Sequence, residues 1–89
     1  MADEPGEEID VEALQEQLAS FSVEQFLISA ASTIASLAYA KLERQDLADA
    51  RKAIDALGAL VPLLEGELAD DLALALTRLQ VAYAGVADL

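Results

Sequence analysis

Phe26-Leu27-Ile28-Ser29-Ala30-Ala31-Ser32-Thr33-Ile34-Ala35-Ser36-Leu37-Ala38-Tyr39-Ala40-Lys41-Leu42 is the stretch on which the fold turns. It holds neither Gly nor Pro and is rich in Ala and Leu, the strongest helix formers. Just before it, Ser22 and Gln25 stand at the spacing of a capping box, and Glu24 falls in the first turn, where the helix dipole favours an acid. The spacing predicts a helix over 22–43. Its apolar positions surround most of the helix rather than marking one stripe, and such a helix must be buried nearly all round. Three helices from one chain can cover only about half of that circumference. A second chain is therefore expected over the rest, with an interface centred on Phe26, Ala30, Ile34, Leu37 and Leu42. The small residues Ser29, Ala31, Ser32, Thr33, Ala35 and Ser36, spaced four apart in pairs, would let neighbouring helices approach closely.

Downstream, Asp46 is placed as the N-cap of a further helix. Leu47, Ala50, Ile54, Leu57, Val61 and Leu64 follow at alternating spacings of three and four, a seam suited to knobs-into-holes packing. Gly58 lies off this seam, at a position that suits a close helix crossing. Pro62 ends or kinks the helix near Val61. The turn Leu64-Glu65-Gly66-Glu67 reverses the chain, and a last helix is predicted over 68–86, with Asp70 and Asp71 in its first turn. Leu72, Leu76, Leu79, Tyr83 and Val86 continue the same spacing. The two seams predict an antiparallel helical hairpin whose core is Leu47, Ala50, Ile54, Leu57, Val61, Leu72, Leu76, Leu79 and Tyr83.

Upstream, Asp10 is a plausible N-cap for a short helix whose stripe is Val11, Leu14 and Leu18, with Glu12 and Glu16 facing away. Residues 1–9 read as a disordered acidic tail: Asp3, Glu4, Glu7 and Glu8 repel one another, and Pro5-Gly6 breaks regular structure. The expected organisation is this tail followed by a single helical domain over 10–89. The fold class is all-α: an antiparallel bundle of three main helices plus a short N-terminal helix, completed by homo-oligomerisation.

Composition narrows function further. The chain has 89 residues and a formal net charge of −12, with five basic residues against seventeen acidic ones. A core this small supplies only about 3–5 kcal/mol, and small domains usually add disulfides, a metal or self-association. With no Cys and no His, there is no disulfide, no thiolate site and no imidazole ligand or proton shuttle. Self-association remains. A polyanion is not a natural ligand for a surface of this sign, which argues against nucleic acid and against an anionic membrane. The longest uncharged stretch, Gln25 to Ala40, is shorter than the roughly 20 residues a membrane span needs. The N-terminus lacks a basic start and apolar run, so no signal peptide is read and a cytoplasmic location is expected.

Catalytic chemistry finds little purchase. Ser29, Ser32 and Ser36 have no base nearby in sequence and read as small packing residues bonding back to helix carbonyls. Gly58 and Gly66 form no phosphate loop. Glu65, Glu67, Asp70 and Asp71 read as a solvated helix start rather than a hard-cation site. Tyr39 and Tyr83 fall on apolar faces and read as packing residues. No catalytic residue, cofactor or metal site is assigned. The expected function is a non-enzymatic, homo-oligomeric structural or interaction protein. The alternative is an acidic module that holds a basic partner protein.

Several separated motifs occur in an order that resembles a known family. They are Phe26-Leu27-Ile28-Ser29 opening an Ala/Ser-rich helix, Asp46-Leu47-Ala48-Asp49-Ala50-Arg51-Lys52-Ala53-Ile54-Asp55-Ala56-Leu57, Leu64-Glu65-Gly66-Glu67-Leu68, and Leu79-Gln80-Val81-Ala82-Tyr83. Over residues 21–86 the chain resembles a family of short bacterial proteins catalogued as a domain of unknown function, number eighteen-forty-four. That family's turn usually reads Thr-x-Gly-Asn-Leu, and Leu-Arg usually precedes its final Tyr, where this chain has Leu79-Gln80. The resemblance implies a small all-helical protein without assigned chemistry, and it points the binding-module alternative toward translation.

Overall fold

A computed structural model describes residues 10–88; the acidic tail expected over 1–9, and Leu89, lie outside the described residues. The described chain is all-helical, and its four α-helices are α1 (Val11–Ala19), α2 (Val23–Glu43), α3 (Leu47–Leu60) and α4 (Glu67–Ala87), with a 3-10 turn at Val61–Leu63 between the last two.

Three of the four α-helices begin on a side chain that accepts from their orphan N–H groups. The Asp10 carboxylate accepts from the Glu12 and Ala13 N–H groups at 3.1 and 3.3 Å, the N-cap arrangement. Ser22 Oγ accepts from the Gln25 N–H at 3.3 Å, which is half of the predicted capping box. Asp46 accepts from the Asp49 N–H at 3.4 Å. α4 starts without a side-chain cap, on Gly66 at φ 94°, in a backbone region that L-residues with a Cβ avoid.

The end of α2 is closed by backbone alone. The Asp46 N–H donates to the Lys41 carbonyl at 2.9 Å and the Gln45 N–H to the Leu42 carbonyl at 3.0 Å. These are the two bonds of a Schellman motif, and they need a left-handed residue at its centre. Here that residue is Gln45, at φ 60°, where glycine is the usual occupant. α3 ends as expected near Val61, with Pro62 housed in the 3-10 turn, where its missing N–H removes no α-helical bond.

Helices α2, α3 and α4 pack on one another, and the α2–α3 contact is the most extensive. The chain returns along α2 after its turn. Lys41 pairs with Asp49 at 3.2 Å and with Asp46 at 3.6 Å at one end. Near the other end the Glu65 N–H donates to Glu24 Oε2 at 2.8 Å. The last two helices also pack on each other; the α2–α3 contact is the more extensive because the tight Schellman turn lays them directly side by side.

Among the described residues the core holds twelve buried hydrophobic ones, six of them Ala. On α2 they are Ala31, Ala35, Ala38 and Leu42, at spacings of 4, 3 and 4, which form one stripe. Alanines on that stripe let the α3 backbone come close. The larger volume comes from Leu57 and Leu79, which are wholly buried, with Ile54, Leu64 and Leu72. Of the residues predicted for the hairpin core, Ala50, Ile54, Leu57, Leu72 and Leu79 are buried, while Leu47, Val61, Leu76 and Tyr83 are partly buried against them. At Gly58 an added Cβ would sit 3.9 Å from Leu76, an ordinary contact, so α3 and α4 do not cross there closely enough to demand glycine.

In α2 the structure differs from two expectations. Leu42, expected in an interface between chains, is 7% exposed and belongs to this chain's own core; it lies in phase with Ala31, Ala35 and Ala38. Ser29, Ser32 and Ser36, expected to pack, are exposed, as is Thr33. The hydroxyls that bond back to helix carbonyls are those of Ser20 and Thr77. Of the two tyrosines read as packing residues, Tyr39 is exposed and Tyr83 is partly buried against the core.

Candidate functional site

The helical period sorts α2 into three faces. Its inner stripe is Ala31, Ala35, Ala38 and Leu42. Its outer arc is the hydroxyl-bearing Ser29, Ser32, Thr33 and Ser36, which water can solvate. Between them lies a flank of Phe26, Ala30, Ile34 and Leu37, which share a sector roughly 80° wide at 100° per residue. Phe26 is 67% exposed and Leu37 49%, and Ala30 and Ile34 are only partly buried. The structure thus brings together four of the five residues predicted for an interface and removes Leu42 from them.

The flank opens into a groove between α2 and α3. Ile34, Leu37 and Lys41 form one wall, and Asp49, Lys52, Ala53 and Ala56 the other, around a volume of about 280 Å³. The floor is aliphatic and the charges stand at one rim. Lys41 is held by Asp49 and Asp46. The Asp49 carboxylate, by hydrogen bond and charge, together with the Asp46 charge, raises the Lys41 pKa above its ordinary value. Lys52 forms no ion pair among the described residues. Sequence reading missed the α3 wall, because Ala53 and Ala56 look like neutral helix-formers until α2 is laid beside them.

A second apolar surface lies at the elbow where α1 meets α2. The two helices are bent by 85° across a short break, and α1 has no buried residue. Its predicted stripe of Val11, Leu14 and Leu18 is exposed throughout. Leu18, Phe21, Ser22, Val23 and Phe26 line an apolar depression of about 240 Å³ in the elbow. Phe26 therefore borders both surfaces.

Polar chemistry is sparse. Arg51 pairs with Asp55 at 3.5 Å and lies 6.0 Å from the centre of the Tyr83 ring, a cation–π arrangement across α3 and α4. Arg51, Ile54, Asp55, Gln80 and Tyr83 surround a shallow pocket of about 260 Å³ there. Among the described residues no three acidic side chains gather closely enough to hold a metal ion, so Glu65, Glu67, Asp70 and Asp71 remain spread along a helix start. No described side chain leaves a buried polar atom without a hydrogen bond. No single described helix is long and apolar enough to cross a membrane; α1 and α2 together pass that test by length and composition, but across their 85° bend.

No family model matches this chain, and no match was found among curated proteins or solved structures.

Proposed function

We propose that this protein is a non-enzymatic structural or interaction protein that works as a homo-oligomer, its helices forming an antiparallel bundle that a second copy completes. One observation carries the reading: on the α2 flank the large side chains of Phe26 and Leu37 are left exposed by the chain's own packing, with the partly buried Ala30 and Ile34 between them. Isolated exposed apolar residues are ordinary on protein surfaces, but exposed large ones on the flank that opens into an aliphatic groove mark a contact site. The alanine-rich core supports the same reading, since a small domain with few large buried side chains gains most from association. The resemblance to the family of short bacterial helical proteins is compatible with this role and adds no chemistry to it.

Mass measured by sedimentation over a micromolar concentration series tests the proposal. A mass rising toward two copies is the expected result, and a single-copy mass throughout overturns it.

A second reading is favoured by charge. Asp10, Glu12 and Glu16 lie on or beside the exposed α1, and no Lys or Arg occurs before Lys41. Such an arm suits a basic protein partner, translation-linked if the family resemblance guides the choice. Salt-sensitive capture that disappears on removing residues 1–20 is its expected signature, because exposed charge contacts weaken as salt screens them.

A further inference from the structure

We infer that two copies meet through antiparallel α2 helices related by a two-fold axis near residue 32, each placing its Phe26 ring in the other's α2–α3 groove. The inference rests on the homo-oligomer reading above and specifies its geometry.

The arrangement follows from the order of the flank. A two-fold interface brings the same patch from both copies together, so residue i meets residue j and j meets i. Laid antiparallel, Phe26 falls opposite Leu37 of the second copy, and Ala30 opposite its Thr33 and Ile34. Large thus meets the groove wall at both ends, and small meets medium near the axis. A parallel pairing would instead stack Phe26 on Phe26 and leave both grooves empty. The groove beside Leu37, floored by Ile34, Ala53 and Ala56, lies on the flank Phe26 occupies and about 16 Å along the helix from it at 1.5 Å per residue. A ring projecting from one copy meets that groove only when the helices run in opposite directions.

Charge selects a second copy as the occupant. The molecule carries −12, and most of its surface repels itself. Between Gln25 and Ala40 α2 holds no charged residue, so two copies can touch here without bringing acids together. The groove rim carries two cations, Lys41 and Lys52; Lys41 is paired with Asp49 and Asp46, and Lys52 forms no ion pair among the described residues. An ammonium at the edge of an aromatic face is favourable, and Lys52, outside any ion pair among the described residues, is placed to supply it. An acidic partner would gain little from the uncharged flank, and a basic one would meet the two lysines.

The sequence has no Cys, so single cysteines at Gln25, Ser32 and Glu43, all exposed and off the flank, allow one spin label per copy. Dipolar distances between copies are expected to be shortest at Ser32. Axial separations grow to about 20 Å at Gln25 and about 34 Å at Glu43. In parallel, Phe26→Ala and Ala56→Trp each raise the dimer dissociation constant at least tenfold. Both sites are exposed in the single chain, so unchanged helical content accompanies both effects. Similar short distances at all three positions, or a dissociation constant unmoved by Phe26→Ala, would overturn this geometry while leaving the homo-oligomer intact. A single-copy mass for the unsubstituted protein, including one in which α1 folds back over its own flank, sinks both.

Discussion

Gln45 carries a strained duty: it sits at φ 60° in the Schellman turn that sets α3 against α2. A left-handed backbone costs an L-residue about 1–2 kcal/mol, and glycine avoids that while losing more freedom on folding. Gln45→Gly is therefore expected to stabilise the fold by about 0.5–1 kcal/mol, read as a rise of roughly 2–8 °C in the thermal midpoint. Beside it, Lys41 ties α2 to Asp46 and Asp49. Because its pKa is raised in the folded chain, the stabilisation is complete below the unfolded-state lysine value and is lost as pH rises through the folded value. Thermal midpoints of the protein and of Lys41→Met are expected to differ by a constant amount from neutral to mildly alkaline pH, and to converge at strongly alkaline pH. A constant difference at every pH would show that the lysine acts through packing alone.

Among the elements, α1 stands apart. It is capped by Asp10 and carries a clear apolar stripe, yet none of its residues is buried. A helix that buries none of its residues adds little to global stability, since short helices are held chiefly by the face they bury. Deleting residues 1–20 is expected to leave the unfolding free energy of one copy unchanged to within about 0.5 kcal/mol, measured by urea titration at concentrations that keep the chain single. A larger loss would mean that α1 docks on the body. The element that most needs its neighbours is α2: one stripe of it belongs to the core, one arc to water, and one flank to neither.

On the scale of the whole molecule, much of the fold was legible in the chain. The caps Asp10, Ser22 and Asp46 sit where spacing placed them, and Pro62 and Gly66 bracket the last turn. The spacings of α3 and α4 marked Ile54, Leu57, Leu72 and Leu79 as core. These features are local: a cap depends on three or four neighbouring residues, and a seam on the helical period. The candidate surface was legible only in part. Phe26, Ala30, Ile34 and Leu37 were identifiable as apolar, but whether they faced inward depended on how α2 is rolled about its axis. The 4-3-4 spacing of Ala31, Ala35, Ala38 and Leu42 carried that signal, masked by the bulkier residues beside it. Packing α3 at close range selects the small stripe over the large one, and that selection buries Leu42 and strands Phe26. Helix positions were thus determined by the sequence itself, through hydrogen-bond caps and periodic burial acting over a few residues. The roll of α2, its groove with α3 and the separation of α1 were decided by tertiary structure, because steric fit between helices is a property of their surfaces together.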